Sequence, residues 1–239
     1  MTSSIITVPT SDGAACPAYL AMPARANGAA IVVLQEIFGV NANIRGIADD
    51  YAARGYLAIA PDLFWRQQPG VDLDPSDPAA RDAAMALMKD LDQVLAVGDA
   101  RAAARYVRAL AGEGTKVGAV GYCLGGKLAY FLAMTGDVDA AVSYYGTGIH
   151  AALDRADEVA CPLLLHVAQE DNLCSPEAQQ ALRERFGPMR DRVTIVDHAG
   201  VGHAFARRGA PTCDVACADR ADGETFAFFT RHLVPRSVR

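Results

Sequence analysis

The amino-acid sequence predicts an α/β fold, in which a doubly wound, mostly parallel sheet follows an N-terminal antiparallel hairpin. Two observations support this prediction. Short apolar runs without polar alternation recur along the chain, as expected for strands that are covered on both faces. Helix-like segments separate these runs, and most of them end at a glycine, which suits a helix C-terminus. Because no linker interrupts the alternation, the sequence predicts one domain over residues 1–239.

The elements are expected in a simple order. Residues 5–8 and 18–21 form the added hairpin. The central strands are predicted at 29–34, 56–60, 117–120, 140–144, 163–167 and 193–196. The helices are predicted at 44–54, 91–110, 124–134, 176–186 and 224–232. Residues 67–78 are rich in proline and aspartate and are interpreted as a loop that overhangs a site.

Composition and charge exclude several classes of protein. The N-terminus lacks the basic start and apolar core of a signal peptide, and no apolar run reaches the ~18 residues that a membrane span needs. We therefore expect a cytoplasmic protein that does not enter a membrane. The net charge of −6, without a basic cluster, argues against a nucleic-acid partner. We expect a monomer that acts on a small molecule.

The cysteines do not predict a disulfide framework or a metal site. A chain of 239 residues can bury a core without covalent cross-links. Cys213 and Cys217 lie one helical turn apart, but no further cysteine or histidine with zinc-like spacing accompanies them. The glycines at 112 and 114 precede their strand instead of following it, which does not fit a dinucleotide loop. No metal and no cofactor are therefore predicted.

One cysteine occupies a position typical of a nucleophile. The motif G-Y-C-L-G-G at 121–126 follows an apolar run and opens a helix-like segment, so Cys123 stands at a sharp strand-to-helix turn. Hydrolases with α/β folds display their nucleophile, usually serine, at such a turn. The thiolate form of cysteine is the nucleophile, and the backbone N–H of Leu124 at the helix start could stabilise an oxyanion. Taken alone, a cysteine between glycines is more often structural.

Two further side chains follow strands in the order that α/β-hydrolases use. Asp171 comes after the strand at 163–167 and His203 after the strand at 193–196, which gives the order nucleophile, acid, histidine. His203 can take the thiol proton, while Asp171 fixes the imidazole tautomer. Glu170 competes for the acid role, and Asp171 could instead cap the following helix. The remaining histidines are assigned to loops; they are His150, His166, His198 and His232.

The chain resembles the dienelactone hydrolases, also called carboxymethylenebutenolidases, over nearly its whole length. The resemblance rests on Q-E-I-F-G at 35–39, G-Y-C-L-G-G at 121–126, Asp171, and G-H-A-F-A-R at 202–207. It implies the α/β-hydrolase fold. It also implies hydrolysis of a lactone, 4-carboxymethylenebut-2-en-4-olide, to maleylacetate during the breakdown of catechol or chlorocatechol.

The resemblance assigns roles to the residues that match the family motifs. It implies a triad of Cys123, His203 and Asp171, and an oxyanion hole from the N–H groups of Ile37 and Leu124. Glu36 is implied as a carboxylate beside the thiol, where it disfavours a free thiolate and protects the thiol from oxidation until substrate arrives. The alternative for Glu36 is a capping role in the turn that follows it.

The resemblance also implies a pocket for an anionic lactone. Arg81 and Arg207 match the arginines that bind the substrate carboxylate, with Arg66 or Arg208 as substitutes for Arg81, and guanidinium groups suit this task because they bind carboxylates in a two-pronged fork. Phe38 and Tyr144 are expected to contact the substrate.

Four residues depart from the family pattern and are expected to line the pocket. They are Met85, Met88, Asn172 and Ala204. Because of these departures, a broader carboxylesterase remains an alternative. A catalytically silent binding protein and a redox role for Cys123 are further alternatives.

Overall fold

The computed structural model describes residues 1–235 and contains an eight-stranded sheet. The strands are β1 (Thr2–Pro9), β2 (Ala15–Met22), β3 (Ala29–Leu34), β4 (Leu57–Pro61), β5 (Lys116–Tyr122), β6 (Ala140–Tyr144), β7 (Leu163–Ala168) and β8 (Val193–His198). Their order across the sheet is β1-β2-β4-β3-β5-β6-β7-β8. The hairpin β1–β2 and the β2–β4 pair are antiparallel, whereas β3 to β8 pair in parallel. The predicted fold class is confirmed.

Helices cover both faces of this sheet. They are α1 (Ala42–Ala53), α2 (Pro78–Lys89), α3 (Gln93–Ala111), α4 (Leu124–Leu132), α5 (Pro176–Phe186) and α6 (Val215–Leu233), with 3₁₀ segments at Ile149–Glu158 and Gly187–Met189. Buried residues of α3, α4 and α5 share one apolar core with the sheet, and those of α1 and α6 share the other. The apolar strand runs lie between these two cores, which explains why they lack polar alternation.

The connections around β3 create a crevice at one edge of the sheet. The chain passes from β3 to β4 on one side, and it later returns to β5 on the other side of β3. The loops after β3 and β5 therefore diverge toward opposite faces, and they leave a crevice beyond the carboxyl ends of these strands. Open α/β sheets bind their ligands at such a switch point.

Two helices differ from the predicted elements. Helix α2 was not predicted, although Asp77 accepts a hydrogen bond from the N–H of Ala79 and Pro78 stands in the first turn. Those two residues form a start signal that was attributed to a loop. Helix α6 begins at Val215, well before the predicted start at 224, because the Asp214 side chain accepts a hydrogen bond from the N–H of Cys217.

Two histidines assigned to loops lie in the sheet. His166 is inside β7 and His198 ends β8, and both are buried. The assignment to loops was wrong for this pair, because an isolated histidine in an apolar run gives no indication of its partners. It was also wrong for His232, which lies in α6. Among residues 1–235, no helix is both long and apolar enough to cross a membrane.

Candidate active site

Cys123 lies at the sharp turn between β5 and α4. Its backbone has φ 55° and ψ −113°, a strained conformation for a residue with a side chain. The flanking glycines are required because a Cβ at Gly121 would lie 1.9 Å from the Gly125 carbonyl oxygen, and a Cβ at Gly125 would lie 2.3 Å from the Leu34 carbonyl oxygen. The motif therefore allows the helix to start directly against β3 and β5, with the thiol at the crevice.

The start of α4 is not capped by a side chain. Cys123 occupies the cap position, and its side chain accepts no hydrogen bond from the helix. The first N–H groups of a helix have no partner within the helix and carry partial positive charge, so they can bind an anion. Ile37, in the turn after β3, lines the same cleft as Cys123.

His203 is oriented by Asp171. The carboxylate Oδ2 of Asp171 lies 2.9 Å from Nδ1 of His203, and its Oδ1 accepts the N–H of Leu173 at 2.8 Å. No hydrogen bond of ordinary geometry is made by Nε2 of His203 within the described chain. Burial disfavours the imidazolium, but the hydrogen bond to Asp171 and the neighbouring Cys123 outweigh it and raise the pKa of His203 to about 9.

Glu36 and Arg207 form a buried ion pair. Nε and Nη2 of Arg207 donate to the two carboxylate oxygens of Glu36 at 2.8 and 2.9 Å. Glu36 is 1% exposed and Arg207 is 7% exposed, so both charges are withdrawn from solvent and neutralise each other. The guanidinium carbon of Arg207 also lies 5.0 Å from the ring centroid of Phe38, which places a cation over an aromatic face.

A cleft of about 430 Å³ brings Cys123, His203 and Arg207 together, whereas Asp171 and Glu36 are bonded to His203 and Arg207 and are not among its lining residues. Its lining residues are Ile37, Phe38, Arg81, Met85, Cys123, Glu170, Asn172, Leu173, Gly202, His203, Ala204, Arg207 and Thr212. It adjoins an outer chamber of about 850 Å³, with which it shares Arg81, Arg207 and Thr212. Arg81 lies on α2, is exposed, and makes no ion pair within residues 1–235. Its guanidinium is thus available to an anionic ligand.

Comparisons with known proteins identify the family of this chain. A sequence model of the dienelactone hydrolase family matches residues 16–233. The chain belongs to the dienelactone hydrolase family. It is 41% identical over 202 residues to the carboxymethylenebutenolidase of Pseudomonas putida, covering 84% of this chain and 85% of the relative. It is 34% identical over 225 residues to carboxymethylenebutenolidase 1 of Cupriavidus pinatubonensis, covering 94% of this chain and 95% of the relative.

A solved structure gives the same result. A crystal structure from Klebsiella pneumoniae subsp. pneumoniae, provisionally named a dienelactone hydrolase, matches with a TM-score of 0.84 and 25% identity. The match covers 97% of this chain and 99% of that chain. As a member of the dienelactone hydrolase family, the protein is a lactone or ester hydrolase.

Some predicted pocket residues of this dienelactone hydrolase family member lie elsewhere. Tyr144 is fully buried behind the cleft, where its hydroxyl donates to Asp222 and shares a hydrogen bond with Thr225. A contact between Tyr144 and substrate is therefore incompatible with the structure. Met88 packs against the apolar core, whereas Met85, Asn172 and Ala204 line the cleft.

The arginines considered as substitutes for Arg81 already have partners. Arg66 binds Asp99 and Asp12, and Arg208 binds Asp219 and Asp222. The carboxylate hydrogen-bonded to His203 is that of Asp171, although Glu170 also lines the cleft. Within residues 1–235, the only group of three or more histidine, cysteine or acidic side chains with potential ligand atoms within 4.8 Å of one another consists of His166, His198 and Glu224, and none of these residues lines the cleft.

Tyr145 was not predicted, yet it lies beside His203 in the candidate active site. Its ring packs edge-on to His203, with 5.1 Å between centroids, and its backbone has a positive φ of 39°. Its hydroxyl is buried and has no hydrogen-bond partner within the described residues. Burial, reinforced by the negative charge of Glu36, raises the pKa of Tyr145 well above its ordinary value, so the phenol stays neutral. The available sequence signal was the pair Tyr144-Tyr145, which stands at the carboxyl end of β6.

The raised pKa of His203 makes a testable pH prediction. Its charged form is favoured in the folded state, so that stabilisation is complete below about pH 6.5 and is lost as pH rises through about 9. We expect kcat/KM to fall over the same range, because the proton that Cys123 and His203 share, and that His203 gives to the leaving group, is then lost to solvent. Asp171→Asn removes the main partner of the imidazolium and should move this basic limb toward lower pH. A basic limb in pH–rate profiles that is the same for both proteins would contradict the assignment.

Proposed function

We propose that this protein hydrolyses a carboxylated enol-lactone, 4-carboxymethylenebut-2-en-4-olide, to maleylacetate, as in the breakdown of catechol or chlorocatechol. The observation that carries the proposal is the hydrogen bond between Asp171 and His203 next to Cys123, in a cleft that also contains Arg81 and Arg207. The names of the relatives described above are consistent with it.

The first half of the reaction forms a thioester. Nε2 of His203 takes the proton of the Cys123 thiol, and the thiolate attacks the lactone carbonyl carbon. The N–H groups of Leu124 and Ile37 stabilise the resulting oxyanion. The ring C–O bond then breaks, and the departing enolate oxygen receives the proton from His203. The enol tautomerises to the ketone after release.

The second half of the reaction consumes one water molecule. His203 is neutral after protonating the leaving group, and it takes a proton from water as the hydroxide attacks the thioester carbonyl. The C–S bond breaks, the acid product leaves, and Cys123 recovers its proton from His203. Asp171 holds Nδ1 of His203 throughout, which keeps Nε2 directed at the reacting atoms.

The two arginines would bind the substrate carboxylate in different ways. Arg81 is free to form an ion pair, whereas Nε and Nη2 of Arg207 are engaged by Glu36, so a substrate carboxylate that uses these two donors displaces Glu36. A substrate carboxylate that competes for Arg207 would release Glu36 within the site that holds Cys123. This exchange gives a physical reason why the thiol would be activated only when substrate is present.

A broader carboxylesterase is the second candidate, because the cleft wall is less aromatic than the family pattern. Met85, Asn172 and Ala204 line it, and methionine adapts to ligands of different shape. A redox cycle at Cys123 is less well supported, because no second cysteine belongs to the described lining of the cleft.

Arg81→Ala separates the two candidates. The substitution removes one charge-assisted hydrogen bond, worth roughly 1.5–3 kcal/mol, so kcat/KM for cis- or trans-dienelactone should fall about ten- to hundredfold. A neutral aryl ester should lose less than about threefold, because it presents no carboxylate. The assays compare wild type and Arg81→Ala on both lactones and the ester.

The matched control is Arg190→Ala, since Arg190 is exposed and its side chain donates only to a backbone carbonyl. It should leave all three rates unchanged. Equal losses for charged and neutral substrates in Arg81→Ala would favour the esterase.

A further inference from the structure

A series of linked hydrogen bonds, buried except at its Asp222 end, lies behind the cleft. It connects residues of β6, β7, β8 and α6 and takes no part in the proposed reaction. Its members, in order, are Cys217, His198, His166, Thr225, Tyr144 and Asp222, with donor–acceptor separations of 3.3, 2.9, 2.9, 2.7 and 2.9 Å. The two histidines occupy the same face of adjacent parallel strands, which brings their rings together.

The direction of each hydrogen bond in this series can be deduced from its Asp222 end. The Asp222 carboxylate also binds Arg208, so it accepts the hydroxyl proton of Tyr144. Tyr144 therefore accepts from the Thr225 hydroxyl, and Thr225 in turn accepts from Nε2–H of His166. In a neutral His166 ring, Nδ1 is then unprotonated and can accept a hydrogen bond.

The unprotonated Nδ1 of His166 accepts a hydrogen bond from His198. Nε2–H of His198 donates to it, and Nδ1 of His198 accepts the thiol proton of Cys217. Both rings are buried, which favours the neutral imidazole over the charged form. Neutral imidazole is the form that binds metals.

A carboxylate completes this group of potential ligands. Oε2 of Glu224 lies 3.8 Å from Nδ1 of His166, and the donor atoms of His166, His198 and Glu224 all lie within 4.8 Å of one another. Zinc bonds of about 2.0–2.2 Å need donor separations of about 3.3 Å in a tetrahedral site. The Glu224 side chain is 47% exposed and can move toward the two imidazoles to reach this separation, whereas His166 is fixed in the strand.

We propose that His166, His198 and Glu224 form a binding site for a divalent transition metal of the zinc type, separate from the cleft. Two imidazole nitrogens and one carboxylate are an established zinc ligand set, with a fourth position left for water. A metal held there would join β7 and β8 to α6.

The surroundings support the two histidine ligands. His166 keeps its Nε2–H bond to Thr225, which is the kind of outer contact that orients metal-binding histidines. On metal binding, the proton of His198 moves from Nε2 to Nδ1 and faces the Cys217 sulfur, whose own S–H turns away. No proton is released overall. Arg220 is a nearby positive charge that opposes the metal, whereas the carboxylate of Glu224 favours it.

The test is a zinc titration of the full chain after chelator treatment, followed by calorimetry and thermal melting. The titration uses the Cys123→Ala background, so that the cleft thiol cannot bind zinc. One zinc ion should bind per chain and raise Tm, since a ligand that binds only the folded state stabilises it. His198→Gln should abolish this binding, and Glu224→Gln should weaken it at least about tenfold, because even outer contacts to metal ligands are worth that much.

Two matched controls accompany these variants. His150 and Glu184 are exposed and lie outside the cluster, so His150→Ala and Glu184→Gln should bind zinc as the parent does. Glu224 is also exposed, so Glu224→Gln should fold even if His198→Gln does not. The proposal is overturned if the parent binds no zinc at about 100 µM, an affinity of roughly −5.5 kcal/mol. It is equally overturned if Glu224→Gln binds as tightly as the parent.

Discussion

Cys123→Ala is expected to lower kcat by about 10⁴-fold or more while the protein stays folded. Removing the nucleophile of a triad has effects of this size, because no other group can form the covalent intermediate. The substitution shortens a side chain that is 5% exposed and leaves the glycines of the turn in place, so the strained backbone can still form. Steady-state rates with dienelactone, together with thermal melting, check both parts of this expectation.

Two further variants sharpen the assignment of Cys123. Cys213→Ala removes a partly exposed thiol outside the cleft and should leave the rate unchanged. Cys123→Ser should also be a poor enzyme, because a hydroxyl needs stronger assistance from a base than a thiol does. If Cys123→Ala kept a large fraction of wild-type activity, the proposed triad would be wrong.

Arg207→Ala is expected to destabilise the fold by about 3–5 kcal/mol, because it leaves the buried carboxylate of Glu36 without its partner. It should also lower kcat/KM for the carboxylated lactone at least about tenfold and that of a neutral ester much less. Chemical denaturation and parallel assays on the two substrates measure the two effects separately.

The Glu36→Gln/Arg207→Ala double variant distinguishes the roles of this pair. It removes the unpaired charge and should recover most of the lost stability, but it should not recover the preference for the anionic substrate. Arg155→Ala is the matched control, since its exposed ion pair with Glu158 should be worth less than about 1 kcal/mol. Equal stability losses in the single and double variants would show that the unpaired charge of Glu36 does not cause the loss of stability.

Glu36→Gln by itself addresses the thiol. If Glu36 governs protonation of Cys123, the alkylation rate of the thiol should change together with turnover. If the alkylation rate and turnover did not change, the alternative inferred from the sequence, a capping role for Glu36 in the turn that follows it, would be favoured. Because Glu36 is bound to Arg207 in the structure, its influence on Cys123 should depend on whether an anion occupies Arg207.

Local sequence signals were sufficient for the fold class and for the order in which the candidate residues Cys123, Asp171 and His203 follow strands. Apolar runs without alternation predict buried parallel strands, and the motif around Cys123 predicts a turn that only glycines allow. Asp171 and His203 follow strands, so their meeting at one edge of the sheet was predictable. Each of these features depends on neighbours in the chain or on the topology of the sheet.

Only the tertiary structure decided which long-range partners each polar group has. The Glu36–Arg207 pair joins the turn after β3 to the loop after β8, and Tyr144 is turned away from the cleft toward α6. The meeting of His166, His198 and Glu224 likewise depends on how α6 packs on β7 and β8. Sequence spacing carries no record of such contacts, because burial energy is nondirectional, whereas ion pairs and hydrogen bonds need atoms placed within a few tenths of an ångström.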